Sequence, residues 1–98
     1  MNKAYWVVTY RKIHDQAAFQ RYAQLAPPAV QACGGRFLVR GMAAAAHEAG
    51  LMQRVVVIEF ASLADALAAH ETPAYQRALQ ELANNAVERD LRIVEGLP

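Results

Sequence analysis

The chain is short of the residue types on which several function classes depend. Of its 98 residues only one is cysteine, Cys33, so no intrachain disulfide can form and a cysteine-based zinc site lacks its ligands. A reducing compartment fits that usage, and the cytoplasm is the expected location. No apolar run approaches the ~18 residues that span a bilayer, and the opening MNKAYWVVTYRK has too short an apolar core for a signal peptide. Surplus charge is missing as well. The 10 basic side chains face 9 acidic ones, which leaves no excess to attract nucleic acid or an anionic membrane surface. The histidines His14, His47 and His70 stand far apart and form none of the HxH, HxxxH or HExxH spacings that hold a metal. No glycine-rich phosphate loop follows a strand. No metal or other cofactor is therefore expected.

What is present is apolar. With 55% hydrophobic residues, the chain can bury the modest core of one small domain spanning residues 1–98. Ala4 to Tyr10 (AYWVVTY) is aromatic and β-branched and reads as a strand. Asp15 offers a helix N-cap, and Ala18, Phe19, Tyr22, Leu25, Ala26, Ala29, Val30 and Cys33 follow at helical spacings. Pro27 and Pro28 interrupt that stripe and predict a kink or a break. Gly34 and Gly35 stop the helix, and the second strand, RFLVRG, follows. Residues 42–53 read as a loop, and Arg54 to Phe60 (RVVVIEF) as a strand apolar enough for burial on both faces. Ser62 and Asp65 open a helix over LADALAAH. Pro73 starts another from Ala74 to about Val87, and Leu91 to Gly96 reads as the last strand.

The order βαββαβ predicts an α+β, ferredoxin-like fold with a four-stranded antiparallel sheet. The helices can cover only one face of that sheet, so a second copy of the chain is the expected cover for the other.

The segments AYWVV, GGRFLVRG, VVIEF, the Pro73–Tyr75 pair and the terminal VEG together resemble the family called domain of unknown function 1330. That resemblance spans nearly the whole chain. It implies the dimeric α+β barrel superfamily, in which two ferredoxin-like protomers pack sheet to sheet. The superfamily includes cofactor-independent monooxygenases, muconolactone-type isomerases, EthD-like proteins and haem-binding relatives, so the resemblance implies a fold and a cleft but no one reaction. The chain departs from the family pattern at Met42, His70, Ala74 and Ala83.

Strand alternation singles out Arg36, Arg40 and Glu59, because residues two apart share a face. Regular antiparallel pairing of the second and third strands sets Arg36 near Glu59 and Arg40 near Val55, with both arginines on one face. A glutamate inside so apolar a strand requires a charged partner. That pair serves either sheet register or an acid-binding cleft in which Glu59 moves a proton. His70 is the one histidine placed to act as acid or base, near the break between two helices. Tyr5, Trp6 and Tyr75, with Tyr10 and Tyr22, are core aromatics that can also line an apolar pocket.

Three functions stay open. The chain can be a cofactor-independent enzyme with catalytic Glu59 or His70 and substrate held by Arg36, Arg40, Trp6, Tyr5 and Tyr75. It can instead be a small-molecule-binding protein. It can also be a structural or stress-associated homodimer with a vestigial pocket.

Overall fold

Strand β1 covers Ala4–Ile13 in the computed structural model, which describes residues 2–98. It runs past the apolar stretch through Arg11 and Lys12. Arg11 pairs with Asp90 at 2.8 Å and Lys12 lies opposite Glu88, so charged cross-strand partners carry the ladder beyond the core.

Helix α1 covers Gln16–Gln31, with the Asp15 carboxylate accepting from the Ala18 N–H at 3.0 Å. The expected break is absent, and the helix runs unbroken through Pro27 and Pro28. Each proline removes a backbone donor. The loss is offset by the burial of Ala26, Ala29 and Val30 in the same turns. Because the Pro28 ring is exposed, Pro28→Ala is expected to raise stability by about 2 kcal/mol, a helix-interior cost of ~3 less ~1 for lost chain stiffness. Denaturant midpoints measure this, and a lowered midpoint would contradict it.

The helix stops at Gly34, whose φ of +84° lies in the left-handed region. Gly35 meets a different demand: a Cβ there would collide with Cγ1 of Val30 and lie 3.0 Å from the Phe60 ring.

Strand β2 (Arg36–Met42) and strand β3 (Arg54–Phe60) pair antiparallel, joined by a segment without helix or strand. Arg36 faces Glu59 and Phe37 faces Ile58, but Val39, not Leu38, faces Val57. Leu38 is the extra residue of a bulge. The expectation that Arg36 and Arg40 share a face fails for this reason. Arg40 lies opposite Val56, on the other side of the sheet from Arg36 and Glu59, and Val39 moves to the Glu59 side.

Helix α2 (Leu63–His70) is capped by the Ser62 hydroxyl, and α3 (Pro73–Leu79) by that of Thr72. A short 3₁₀ turn, Gln80–Leu82, follows α3. The helix expected to reach Val87 ends here because Asn84 and Asn85 both adopt left-handed backbone, at φ +62° and +58°. Strand β4 then begins at Val87, earlier than expected, and runs to Glu95.

The sheet order is β2-β3-β1-β4, antiparallel throughout. Ala4, Trp6, Val8, Tyr10, Val56, Ile58 and Phe60 form its buried face, against the helices. On the opposite face Tyr5, Val7, Val55 and Val57 are only half-buried. This is the α+β ferredoxin-like arrangement.

Candidate functional site

A cavity of about 280 Å³ lies between α1 and the buried face of the sheet. Small side chains create it. Ala23 and Ala26 on α1 face Val8 on β1 and Val56 on β3, where longer chains would close the gap, while Trp6, Phe19, Phe37 and Pro27 supply larger walls. That volume lies at the small end of ligand-sized cavities, which run from roughly 300 to 1,000 Å³. Its charged lining is entirely cationic: Arg40, Arg54 and Arg89.

Arg89 is the unusual member. It lies on β4 opposite Tyr10 and is half-buried. One guanidinium nitrogen, Nη1, donates to the Tyr22 hydroxyl at 3.1 Å and to that of Tyr10 at 3.4 Å. The other, Nη2, donates to the Tyr75 hydroxyl at 3.1 Å. Tyr22 and Tyr75 share a further hydrogen bond of 2.7 Å between their hydroxyls, and the Tyr22 ring lies 4.9 Å from the guanidinium carbon. Among the described residues, no carboxylate comes within ion-pair reach of Arg89, Arg40 or Arg54. A cation drawn partly out of water is ordinarily matched by an anion. Here it is held by three neutral hydroxyls, which take three of its five N–H hydrogens and leave its charge uncompensated.

Burial pushes the Tyr22 and Tyr10 phenols above their ordinary range, with the Arg89 charge opposing in each case. The consequence for stability has a definite sign. Below pH ~10, the ordinary tyrosine value, these groups are protonated in folded and unfolded chains alike; above it only the unfolded chain releases their protons, so stability falls as pH rises. An alkaline titration should show the Tyr10 and Tyr22 phenolate absorbance appearing together with loss of the fold. Ionisation with the fold intact would contradict this.

Of the residues singled out from the sequence, Trp6 and Arg40 line the cavity, and Tyr75 binds Arg89 beside it. Trp6 is buried and donates through Nε1 to the Ala66 carbonyl at 2.8 Å. Arg40 stacks over Phe37 with its guanidinium carbon 4.7 Å from the ring centroid. Tyr5, Arg36 and Glu59 gather on the opposite face of the sheet. There the Tyr5 hydroxyl donates to Glu59 Oε2 at 3.3 Å, Lys3 Nζ lies 3.4 Å from Oε1, and Arg36 Nε lies 3.8 Å from it. The Arg36 side chain is 74% exposed against 15% for Glu59, so solvent screens that pair and it contributes little. His70 packs against the Trp6 and Tyr75 rings, outside the cavity lining, with Nδ1 2.6 Å from Glu71 Oε2.

Arg89 and Arg54 escape a motif search. A signal for Arg89 does exist. Val87, Arg89, Leu91 and Ile93 alternate along one face, placing an arginine in line with three apolar residues.

The model for "Domain of unknown function (DUF1330)" matches residues 3–97. The chain belongs to this family. Among solved structures, a Rhodopseudomonas palustris protein of unknown function superposes with a TM-score of 0.74 at 15% identity, over 99% of this chain and 84% of that one. A candidate antibiotic biosynthesis monooxygenase from Nitrosomonas europaea gives 0.64 at 20% identity, over 98% and 99% respectively. A NIPSNAP family protein of unknown function from Agrobacterium tumefaciens gives 0.61 at 16%, over 97% and 88%. At these identities the likeness is one of fold, and this DUF1330 chain shares that fold along nearly its whole length. No curated protein matches the chain. Among the described residues, no helix is long and apolar enough to cross a membrane.

Proposed function

We propose that this DUF1330 protein binds a small organic anion with an apolar body. The head group sits against Arg89 and its tyrosine hydroxyls, and the body fills the cavity under α1. The observation that carries this reading is the half-buried Arg89 with no carboxylate partner among the described residues, beside an apolar cavity without acidic lining.

Turnover with Glu59 or His70 as base draws less support. Glu59 projects on the opposite face of the sheet, and His70 stands outside the cavity lining. A cavity suited to a ligand also weighs against a purely structural role. Benzoate, a ring with one carboxylate, is the simplest probe. Trp6 lines the cavity and is the only tryptophan, so its emission should change saturably with benzoate while the melting temperature rises. Neither effect at millimolar benzoate would reject the reading, and recovery of a chemically altered ligand would favour catalysis over binding.

The open face of the sheet supports self-association as the second part of the proposal. Val39 and Val94 are exposed there and Val7, Val55 and Val57 half-exposed, an apolar surface that a second copy would cover. Light scattering at micromolar concentration should return twice the chain mass, and a monomer would contradict it.

A further inference from the structure

Arg40 and Arg54 raise a separate question. Arg40 lies opposite Val56 and Arg54 opposite Met42, so the two arginines are diagonal neighbours on one face, a relation that sets residues ~7–8 Å apart. Both line the cavity. Each is held over a ring, Arg40 at 4.7 Å from the Phe37 centroid and Arg54 at 5.3 Å from that of Phe19. Two cations so placed repel each other, and among the described residues no carboxylate lies between them. Their location also differs from that of Arg89. The sheet order puts β1 between β3 and β4, so the backbones of Arg54 and Arg89 are two strand spacings apart, roughly 10 Å. The edge-to-face pair of Tyr10 and Phe19 stands between, with Arg89 against Tyr10 and Arg54 against Phe19.

From this division we infer that the ligand carries two anionic groups at opposite ends of an apolar body, as an aromatic dicarboxylate does. One carboxylate meets Arg89 and its hydroxyls, and the second meets the Arg40 and Arg54 pair. The inference rests on the reading of the cavity as an organic-anion site and adds the second contact. A ligand with a single carboxylate would leave Arg40 and Arg54 uncompensated. A phosphate monoester would concentrate both charges at one end and leave the other arginine location unmatched.

Calorimetric titration of the intact protein with benzoate, terephthalate and phenyl phosphate tests this. Terephthalate should bind about tenfold more tightly than benzoate, the scale of one added charge-assisted contact at a partly exposed site. That advantage should shrink as salt is raised, because Arg40 is exposed. In the double variant Arg40→Gln, Arg54→Gln, terephthalate should fall to the level of benzoate. Equal binding of benzoate and terephthalate to the unaltered protein would overturn the inference. So would a terephthalate advantage that survives in the double variant, or phenyl phosphate binding as tightly as terephthalate. In each of these cases the single-anion reading stands. Binding by none of the three probes would reject both readings.

Discussion

Arg89→Met is expected to weaken benzoate binding about a hundredfold while leaving the melting temperature within a few degrees of the original. The two halves of this outcome have different causes. A charged donor pair aimed at a carboxylate contributes roughly 1.5–3 kcal/mol, and methionine supplies neither charge nor donors. Stability responds differently because the guanidinium stabilises the fold less than its contacts suggest. Desolvating a cation costs several kcal/mol, which neutral hydroxyls offset only in part. Methionine has a flexible stem that can occupy the same space. Of the three tyrosines, Tyr22 and Tyr75 keep their mutual hydrogen bond of 2.7 Å when Arg89 is gone, so only the more distant Tyr10 hydroxyl loses its side-chain partner. Calorimetric titration with benzoate and a thermal melt on the same preparation give both numbers. If binding is retained, Arg89 is not the anion site; if stability drops by more than ~3 kcal/mol, the cluster is a structural strut.

The second large effect concerns stability alone. Trp6 is 1% exposed and sits among the Phe60, Tyr75 and His70 rings, at centroid distances of 5.4, 4.9 and 5.9 Å. Trp6→Ala should cost roughly 3–5 kcal/mol through lost burial and the space left behind. A domain of this size has only about 5–15 kcal/mol of stability, so the melting temperature should fall by roughly 12–40 °C at ~4–8 °C per kcal/mol. Circular dichroism follows it, since the only tryptophan is removed. Trp6→Phe separates the ring from the hydrogen bond: it keeps an aromatic ring and loses the donation to Ala66, and should cost ~1–3 kcal/mol. A drop under 1 kcal/mol for Trp6→Ala would show that the cluster around Trp6 relaxes without loss.

The order of elements was legible because each carries its own local cue. β3 is a single apolar run, α1 has its Asp15 cap and its stripe, and the two glycines mark the stop. The Arg36–Glu59 pairing followed from alternation and is present. Alternation failed at Arg40, since nothing in RFLVRGM distinguishes Leu38 from its neighbours as the residue to be left out of the ladder. Arg89 was hidden for a different reason. The left-handed pair at Asn84 and Asn85 ends the helical region early, so Arg89 belongs to a strand, where its orientation has meaning, and not to a helix terminus. The prolines misled because propensity is local and the burial of Ala26, Ala29 and Val30 is not. Both misreadings of the site concern where a strand begins or skips, which is decided by partners distant in sequence.

The bulge at Leu38 has one more consequence. Six residues of β3, Arg54 to Glu59, are paired with a β2 segment of seven. Removing a residue from a strand ordinarily inverts everything beyond it, exchanging inside for outside. In β2 the count is already one too many. A chain lacking Leu38 would pair residue for residue, keeping Arg36 beside Glu59 and Arg40 beside Val56 on the helix-covered face. Parity, not composition, assigns that charge to its face, and this strand can lose a member without changing parity.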